Sequence, residues 1–351
     1  MGVNYIVDCE RMRYPNSGLF KFCEYLGLSL LEEKELNEEI HFYTPMQKLD
    51  FFGTNAHYLK QSYLHKILFP RLPSNSIWHS TYQDSEYFPY DNKIPIIMTV
   101  HDINFMHSNE KSSFKKKYLL KRLQRKIDRA NHVVFISDFV KNDLSKYINI
   151  QAKNTSIIYN GCNVNPEILS TAPLLKPSKE FLFTISLISP KKNIHVLPAL
   201  LSKNNYMLVI AGNNNDKAYV EVILREARKF KVEDRIIFTG PISENDKYWY
   251  YKNCKAFLFP SLAEGFGMPV VEAMAFGKPV FLSSKTSLPE IGADVAFYFS
   301  SFESTEMQKV FESCMDYYNK HQLVDAIKAN ANRFNWAKTA KAYLNIYRSL
   351  Y

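Results

Sequence analysis

The chain has 351 residues, 46% of them apolar, which is enough to bury one large core or two ordinary ones and excludes a disordered chain. Its 44 basic and 35 acidic residues give a formal net charge of +9, which suits an anionic ligand, a nucleic acid or an anionic membrane. Because no secretion signal or stretch of roughly 18 uncharged apolar residues is visible and the five cysteines are scattered, we expect a cytoplasmic protein with reduced thiols.

The first half of the chain alternates short apolar runs with longer segments of helical period. Such alternation is typical of a parallel sheet covered by helices on both faces. Six runs predict strands here: NYIVD, EIHFYT, SIWHS, PIIMTV, HVVFIS and TSIIYN.

The positive charge is densest at residues 111–130, KSSFKKKYLLKRLQRKIDRA. Apolar residues recur there at helical spacing among nine basic ones, which predicts a basic amphipathic helix. Two interpretations stay open. The helix is either an ordinary surface helix with its apolar stripe in the core, or a peripheral contact with an anionic membrane, at the inner face of the plasma membrane.

A segment without periodicity, CNVNPEILSTAPLLKPSKE, follows the first half and has the character of an interdomain linker. Six further strands are predicted beyond it: FLFTIS, YMLVIAG, RIIFTG, KAFLFP, KPVFLS and AFYF. We therefore predict two α/β domains, 1–165 and 166–336, whose parallel sheets face each other across a cleft. A last helix at about 337–351 has no strand after it, and we expect it to pack back on the first domain.

The most informative segment is FPSLAEGFGMPVVEAMAFGKPV, at residues 259–280. A loop at the carboxyl end of a strand leads into a helix, and this is where α/β folds bind ligands. Because Gly265 and Gly267 have no side chains, we expect the loop backbone from Gly265 through Phe266 to Gly267 to come close to a ligand. Pro269 suits the first helical turn. Backbone N–H groups at the helix start then predict a diphosphate site, which we assign to Gly267, Met268 and Val270.

Two glutamates flank this predicted anion site. A carboxylate accepts hydrogen bonds only, whereas neighbouring sugar hydroxyls offer donors in pairs. We expect Glu264 to hold a sugar and Glu272 a ribose. The alternative is that Glu264 caps the helix and Glu272 is a solvated helix residue.

Other candidates also follow predicted strands, where parallel sheets present their ligands. Lys192 follows FLFTIS, His101 follows PIIMTV, and His79 follows SIW. For each there is a structural alternative: a solvated lysine, or a histidine satisfied in the core. Ser17 and Gly18 form a loop before the first helix, and we place Ser17 and His79 on the acceptor side.

At this point the sequence resembles the retaining glycosyltransferases of family 4, the glycosyl transferases group 1. Their signature of two glutamates separated by seven residues matches EGFGMPVVE, from Glu264 to Glu272. Similar segments follow the family order along nearly the whole chain: HDINF, VVFISDFVKNDL, IIYNG, SPKKN, RIIFTGPIS and SLPEIGADVAFYF. The resemblance implies the GT-B fold of two Rossmann-like domains, with the acceptor bound by the first and a nucleotide-sugar donor by the second.

The resemblance also implies roles for particular residues. His101 would orient the transferred sugar, Lys192 would contact phosphate, and Glu264 would bind hydroxyls. Where the family usually has a Gly-Arg pair, this chain has Ser186 and Leu187, so one expected cation is missing. Backbone groups of the GPIS loop, at Pro241 and Ile242, would meet the nucleobase, and Gly18 would allow the phosphate to approach.

The predicted activity is transfer of a hexose, of mannose or glucose type, from a nucleotide-sugar to a polysaccharide, O-antigen, lipopolysaccharide or lipid-linked acceptor. No Asp-x-Asp motif and no cluster with metal spacing is visible, so we expect no metal and no other cofactor. We expect same-face attack with retention rather than a covalent intermediate. The alternatives are a nucleotide-sugar 2-epimerase on the same fold and a basic nucleic-acid-binding protein.

Overall fold

A computed structural model describes residues 3–15, 17–54, 56–90, 93–107, 111–168 and 170–351. The chain divides into two units. The first comprises Met1–Asn163 and Phe334–Tyr351, and the second comprises Val164–Arg333. The predicted divisions are at 165/166 and 336/337, and the observed ones lie two and three residues earlier, at 163/164 and 333/334.

Each unit contains one sheet in which every pair of neighbouring strands is parallel. The strand order is β3-β2-β1-β4-β5-β6-β7 in the first and β10-β9-β8-β11-β12-β13 in the second. The strands of the first sheet are β1 (Val3–Asp8), β2 (Glu38–Thr44), β3 (His57–Lys60), β4 (Ser76–Ser80), β5 (Ile96–Val100), β6 (His132–Phe135) and β7 (Asn154–Ile157). Those of the second are β8 (Phe181–Ile185), β9 (Met207–Ala211), β10 (Ile236–Gly240), β11 (Ala256–Phe259), β12 (Val280–Ser283) and β13 (Phe297–Phe299).

Helices connect the strands. In chain order they are α1 (Gly18–Glu33), α2 (Asn104–His107), α3 (Ser113–Arg129), α4 (Asp138–Ser145), α5 (Lys217–Lys229), α6 (Glu244–Asn253), α7 (Met268–Ala275), α8 (Leu288–Gly292), α9 (Ser304–His321), α10 (Val324–Ala331) and α11 (Trp336–Ser349). Short 3-10 helices include Glu10–Arg13, Tyr63–Lys66, Pro190–Lys192 and Ile194–Leu201. In the described part of the chain, no helix is both long enough and apolar enough to cross a bilayer.

All twelve predicted strands are present, which confirms the α/β class with two Rossmann-like sheets. One further strand, β3, was not predicted; it has four residues and lies at the edge of the first sheet. Its segment HYLK has two exposed and two half-buried residues and lacks the apolar run that marks a buried strand.

The last helix, α11, belongs to the first unit. Tyr343 and Tyr347 are fully buried, with the Tyr343 hydroxyl 2.8 Å from Thr99 Oγ1. Gly161 lies against the helix start so closely that an added Cβ would be 2.3 Å from the backbone nitrogen of Trp336. The C-terminal residues therefore complete the core of the first unit.

The basic helix α3 is divided along its length. Leu123 and Ile127 are buried, so its C-terminal half does place an apolar stripe in the core. Phe114 and Tyr118, at the same helical spacing, are exposed. Core packing thus accounts for only part of the apolar pattern.

Candidate active site

Two loops of the second unit meet beside the point where the strand order reverses. In this sheet β8 lies between β9 and β11, and open parallel sheets bind ligands at the carboxyl ends of strands on either side of such a reversal. The loop after β8 carries Lys192, and the loop after β11 carries Glu264. Two of the predicted site residues therefore come from adjacent strand ends.

Lys192 and Glu264 form an ion pair between Nζ and Oε1, and each side chain is 13% exposed. The Lys192 ammonium also lies 5.2 Å from the centre of the Phe259 ring, at the end of β11. One ring face and one carboxylate therefore fix the ammonium. The pair is shielded but accessible, so either group can exchange its partner for phosphate or hydroxyl groups of a ligand.

Hydrogen bonds between loops hold this pair in place. The Leu262 backbone N–H donates to the Lys191 carbonyl at 2.8 Å, which joins the β8 and β11 loops. The Glu264 N–H donates to Thr286 Oγ1 at 3.1 Å, and the Ser287 hydroxyl lies within hydrogen-bonding distance of the Glu264 and Phe266 carbonyls. Three adjacent strand ends thus position Glu264, and a site supported in this way is preorganised.

Two residues beside the pair have positive φ angles. Asn193 has φ 56° and Thr286 has φ 58°. Asparagine tolerates the left-handed region, but a β-branched threonine there is strained at a cost of about 1–3 kcal/mol. The same strained residue, Thr286, accepts the hydrogen bond from the Glu264 N–H.

The start of α7 differs in one respect from the prediction. Gly267 is its N-cap, with φ 105°, a conformation that suits glycine. The Val270 N–H donates to the Gly267 carbonyl at 2.9 Å, so the prediction of a free Val270 donor was wrong. In the described ranges, the N–H groups of Gly267 and Met268 have no such partner and remain as the anion-binding candidates.

Glu272 lies one turn into α7 and is almost fully buried. Its Oε1 accepts from Lys247 Nζ at 2.8 Å, and its Oε2 accepts from the Tyr251 hydroxyl at 2.9 Å. Burial alone would lower the pKa of Lys247, but the charges of Glu272 and Glu244 outweigh it and the pKa is raised. Glu272 is therefore part of an internal ion-pair network and not a solvated helix residue. A ribose would have to use the remaining acceptor capacity of its two oxygens.

Backbone contacts fix the loop after β8, where Ser186 and Leu187 stand in place of the expected Gly-Arg pair. Leu187 is exposed where the resemblance predicts a cation. The Ser186 N–H donates to the Ala211 carbonyl at 3.1 Å, and an added Cβ at Gly212 would be 1.8 Å from the Ser186 carbonyl oxygen. Pro241 and Ile242 follow β10, two strands from β8 and at the edge of the sheet.

In the first unit, His101 follows β5 and is held in one orientation. Its backbone N–H donates to Gln83 Oε1 at 3.0 Å, and its ring Nε2 lies 2.8 Å from the Thr81 carbonyl. Burial lowers the pKa of His101 to about 4, so the ring is neutral at pH 7. With Nε2 donating to the carbonyl, Nδ1 is left as an acceptor that suits a sugar hydroxyl.

His79 does not fit the predicted acceptor side. It lies inside β4 and is 1% exposed. Its Nε2 is 2.8 Å from Thr99 Oγ1, and its Nδ1 is 2.6 Å from the Tyr347 hydroxyl of α11. Both ring nitrogens are occupied in the interior, so His79 is a core residue.

The loop before α1 is only partly as predicted. The Ser17 hydroxyl caps the helix by accepting from the Phe20 N–H at 3.1 Å and donates to the Tyr14 carbonyl at 2.9 Å. Its proton is thus used within the loop, and its place on the acceptor side stays a prediction. Gly18 faces open space, because an added Cβ would meet no atom within 4 Å.

Sequence reasoning missed several residues that support the site. Thr286 and Ser287 belong to the segment KTSLPEIG after β12, whose position beside the β11 loop was a usable signal. Lys247 and Tyr251 are on α6, and no local pattern marks them as partners of Glu272. Over the described residues, no group of three or more histidine, cysteine or acidic side chains has the geometry to hold a metal ion.

Comparison with known proteins gives two family matches. The model of the glycosyl transferases group 1 matches residues 167–331, and that of glycosyltransferase family 4 matches residues 78–165. The O-antigen chain mannosyltransferase RfbU of Salmonella typhimurium is 28% identical over 68% of this chain. The chain spans 63% of that relative's length.

A second relative and a solved structure agree with these matches. The O-antigen chain mannosyltransferase B of Escherichia coli is 24% identical over 72% of this chain and 70% of its own length. The crystal structure of Anabaena Alr3699/HepE in complex with UDP and glucose superimposes with a TM-score of 0.74. The superposition covers 99% of this chain and 100% of that chain, with 18% sequence identity. At this identity the match shows a shared fold.

Proposed function

The chain belongs to the glycosyltransferases of group 1 and family 4, enzymes of GT-B fold, and we propose that it moves a hexose from a nucleotide-sugar to a glycan or glycolipid acceptor with retention of configuration. Mannose is the first sugar to test, because the Salmonella and Escherichia relatives are named as O-antigen mannosyltransferases. Glucose is the second, because Alr3699/HepE was solved with UDP and glucose.

The observation that carries the proposal is the ion pair of Lys192 and Glu264 beside the strand-order reversal. A nucleotide-sugar offers a diphosphate for the ammonium and paired hydroxyls for the carboxylate. The N–H groups of Gly267 and Met268 and the start of α7 add further favourable interactions for the diphosphate. In this proposal Lys192 and these N–H groups stabilise the charge that develops on the departing diphosphate.

The proposed reaction is same-face substitution without a metal. The bond from the anomeric carbon to the diphosphate oxygen breaks, and a bond to the acceptor oxygen forms on the same face. The acceptor's proton passes to the departing diphosphate. Glu264 binds hydroxyls and His101, through Nδ1, accepts from a hydroxyl of the transferred sugar, so neither residue forms a covalent intermediate.

The first unit is the proposed acceptor domain, with Gly18 and His101 at the carboxyl side of its sheet. Helix α3 carries exposed lysines, and we include a peripheral contact with an anionic membrane in the proposal. Such a contact would bring the enzyme close to a glycolipid acceptor in the membrane.

The first experiment measures thermal stabilisation of the purified protein by a panel of nucleotide-sugars, since a ligand that binds only the folded state raises its stability. The stabilising donor is then incubated with candidate lipopolysaccharide and glycolipid acceptors, and the anomeric configuration of the product is determined by NMR. We expect retention, with a rate that is unchanged by EDTA. An inverted product would contradict the mechanism, and loss of the rate in EDTA would contradict metal independence.

The same assay separates the alternatives. An epimerase would convert the sugar of the nucleotide-sugar without any acceptor, whereas a transferase releases nucleoside diphosphate in step with acceptor. A nucleic-acid-binding protein would show a salt-sensitive gel shift and no stabilisation by any donor.

A further inference from the structure

A short turn of the first unit exposes four large apolar side chains. Tyr63 is 76% exposed, Leu64 72%, Ile67 93% and Leu68 77%. Single exposed apolar residues are common on protein surfaces, but a contiguous group marks an interaction site. We call residues 62–68 the apolar turn.

The backbone and polar residues of the turn fix its shape. Ser62 and His65 form a capping box, in which Ser62 Oγ accepts from the Leu64 N–H and His65 Nδ1 accepts from the Ser62 N–H. The buried Tyr43 places its hydroxyl 2.9 Å from the same His65 nitrogen. The Leu68 N–H donates to the Leu64 carbonyl at 2.9 Å, so helical geometry continues beyond Lys66.

This geometry gathers the apolar side chains. Residues four apart in a helical turn are neighbours on its surface, which pairs Leu64 with Leu68 and Tyr63 with Ile67. His65 and Lys66, between them, make the contacts with the rest of the unit. The polar residues therefore hold the turn while the apolar ones face solvent.

The apolar turn adjoins the basic helix α3. Lys66 forms an ion pair with Glu86, and Arg122 of α3 donates from Nη2 to the Asp84 carbonyl at 3.0 Å. The pKa of Glu86 is lowered mainly by the Lys66 hydrogen bond and further by the charge of Arg122. The short segment 84–86 thus connects the turn with the helix.

The exposed side of α3 combines positive charge with further apolar groups. Phe114 is 82% and Tyr118 53% exposed. The exposed cations Lys117, Lys121 and Arg125 form no ion pair with any carboxylate of the described ranges. Positive charge without an internal partner is complementary to an anionic surface.

We propose that the apolar turn inserts into the headgroup and acyl boundary of an anionic bilayer while α3 contacts the headgroups. Exposed apolar residues next to lysines and arginines are what such a boundary accommodates. A second copy fits less well, because a two-fold symmetric interface through this surface would bring the two basic helices toward each other. The inference extends the proposed membrane contact of α3 and does not depend on the transfer reaction.

The test compares co-sedimentation with vesicles of phosphatidylcholine, with and without phosphatidylglycerol, at low and high salt. The wild type should bind the anionic vesicles. The double variant Leu64→Ser/Ile67→Ser should bind them about tenfold or more weakly at both salt concentrations, since it loses buried apolar area. The variant Lys117→Gln/Lys121→Gln should lose binding mainly at low salt.

Leu174→Ser is the matched control, because Leu174 is also fully exposed but belongs to the second unit. It should bind vesicles like the wild type. All variants should keep the wild-type Tm, since the changed residues are exposed.

Wild-type vesicle binding by the Leu64/Ile67 variant would overturn the proposal while leaving the contact of α3 intact. A wild-type dimer in sedimentation velocity that this variant converts to a monomer would also overturn it, in favour of a second copy. Transfer to a soluble acceptor should be equal in the wild type and this variant, so failure of membrane binding and failure of the proposed enzyme activity are seen separately.

Discussion

The ammonium of Lys192 and the carboxylate of Glu264 are each mostly shielded from solvent, and they pair with each other. A donor that engages both groups must part them, so the cost of separating the charges is offset by new contacts to phosphate and hydroxyls. The neighbouring Lys191 differs in that its side chain is exposed. The two adjacent lysines therefore have different surroundings, although the sequence shows them side by side.

Replacing either member of the pair should greatly slow transfer without unfolding the protein. We expect Lys192→Met and Glu264→Gln each to lower kcat/KM by about 100- to 1000-fold, because one preorganised interaction with the transition state is lost. Steady-state kinetics checks this, with Lys191→Met as the matched control that keeps near-normal activity. Normal turnover in Lys192→Met would remove that residue from the site.

His79 makes the stability of the first unit depend on pH. Burial, with a further effect from His101, lowers its pKa to about 3 from the ordinary 6.5. The unfolded chain then binds a proton between these values while the folded chain does not, so stability falls as the pH falls through this window.

Between pH 7 and pH 5 this histidine alone should cost about 2 kcal/mol of unfolding free energy, at about 1.4 kcal/mol per pH unit below 6.5. Urea unfolding of the wild type and of His79→Gln at both pH values checks this. The variant should be less stable at pH 7 and should lose less stability on acidification. Equal slopes for the two proteins would contradict the interpretation.

At the scale of elements, α11 depends on a close approach to the strand end of the first unit. The Cys162 N–H donates to the Phe334 carbonyl at 3.0 Å, and Thr339 Oγ1 donates to the Tyr159 carbonyl at 2.8 Å. Gly161 lies between these contacts, and only its hydrogen side chain leaves room for Trp336.

Gly161→Ala should therefore destabilise the protein by about 1–3 kcal/mol, the usual cost of overpacking a close contact. Thermal unfolding should show a lower Tm than the wild type. Gly18→Ala is the control, since an added methyl group there meets open space at the start of α1. A Gly161→Ala protein as stable as the Gly18→Ala protein would show that α11 can shift without cost.

Element types were predictable from sequence where burial dictates the pattern. The strands β5, β8 and β11 are apolar except for one threonine each in β5 and β8, whereas the edge strand β3 has no such run and was missed. Strand ends also predicted that Lys192 and Glu264 lie at one edge of the sheet, because parallel strands end there together; their ion pair was not predicted. The partners of Glu272 and His79 were not predictable, since Lys247, Tyr251 and Tyr347 come from elements distant in sequence.

At the scale of the whole molecule, the second unit is inserted between two segments of the first. Residues 1–163 form a sheet with its helices, yet Tyr343 and Tyr347 from the other end of the chain fill part of that core. Both units contain ion pairs, among them Lys66 with Glu86 in the first and Lys192 with Glu264 in the second.

This insertion sets an order of events during synthesis. A ribosome releases Val164–Arg333 completely before it releases α11, so the later unit has all its residues first. Until α11 emerges, the aromatic cover over His79 is missing and the amino-terminal sheet keeps an open apolar face. The half of the chain that is made first is thus the last to finish folding.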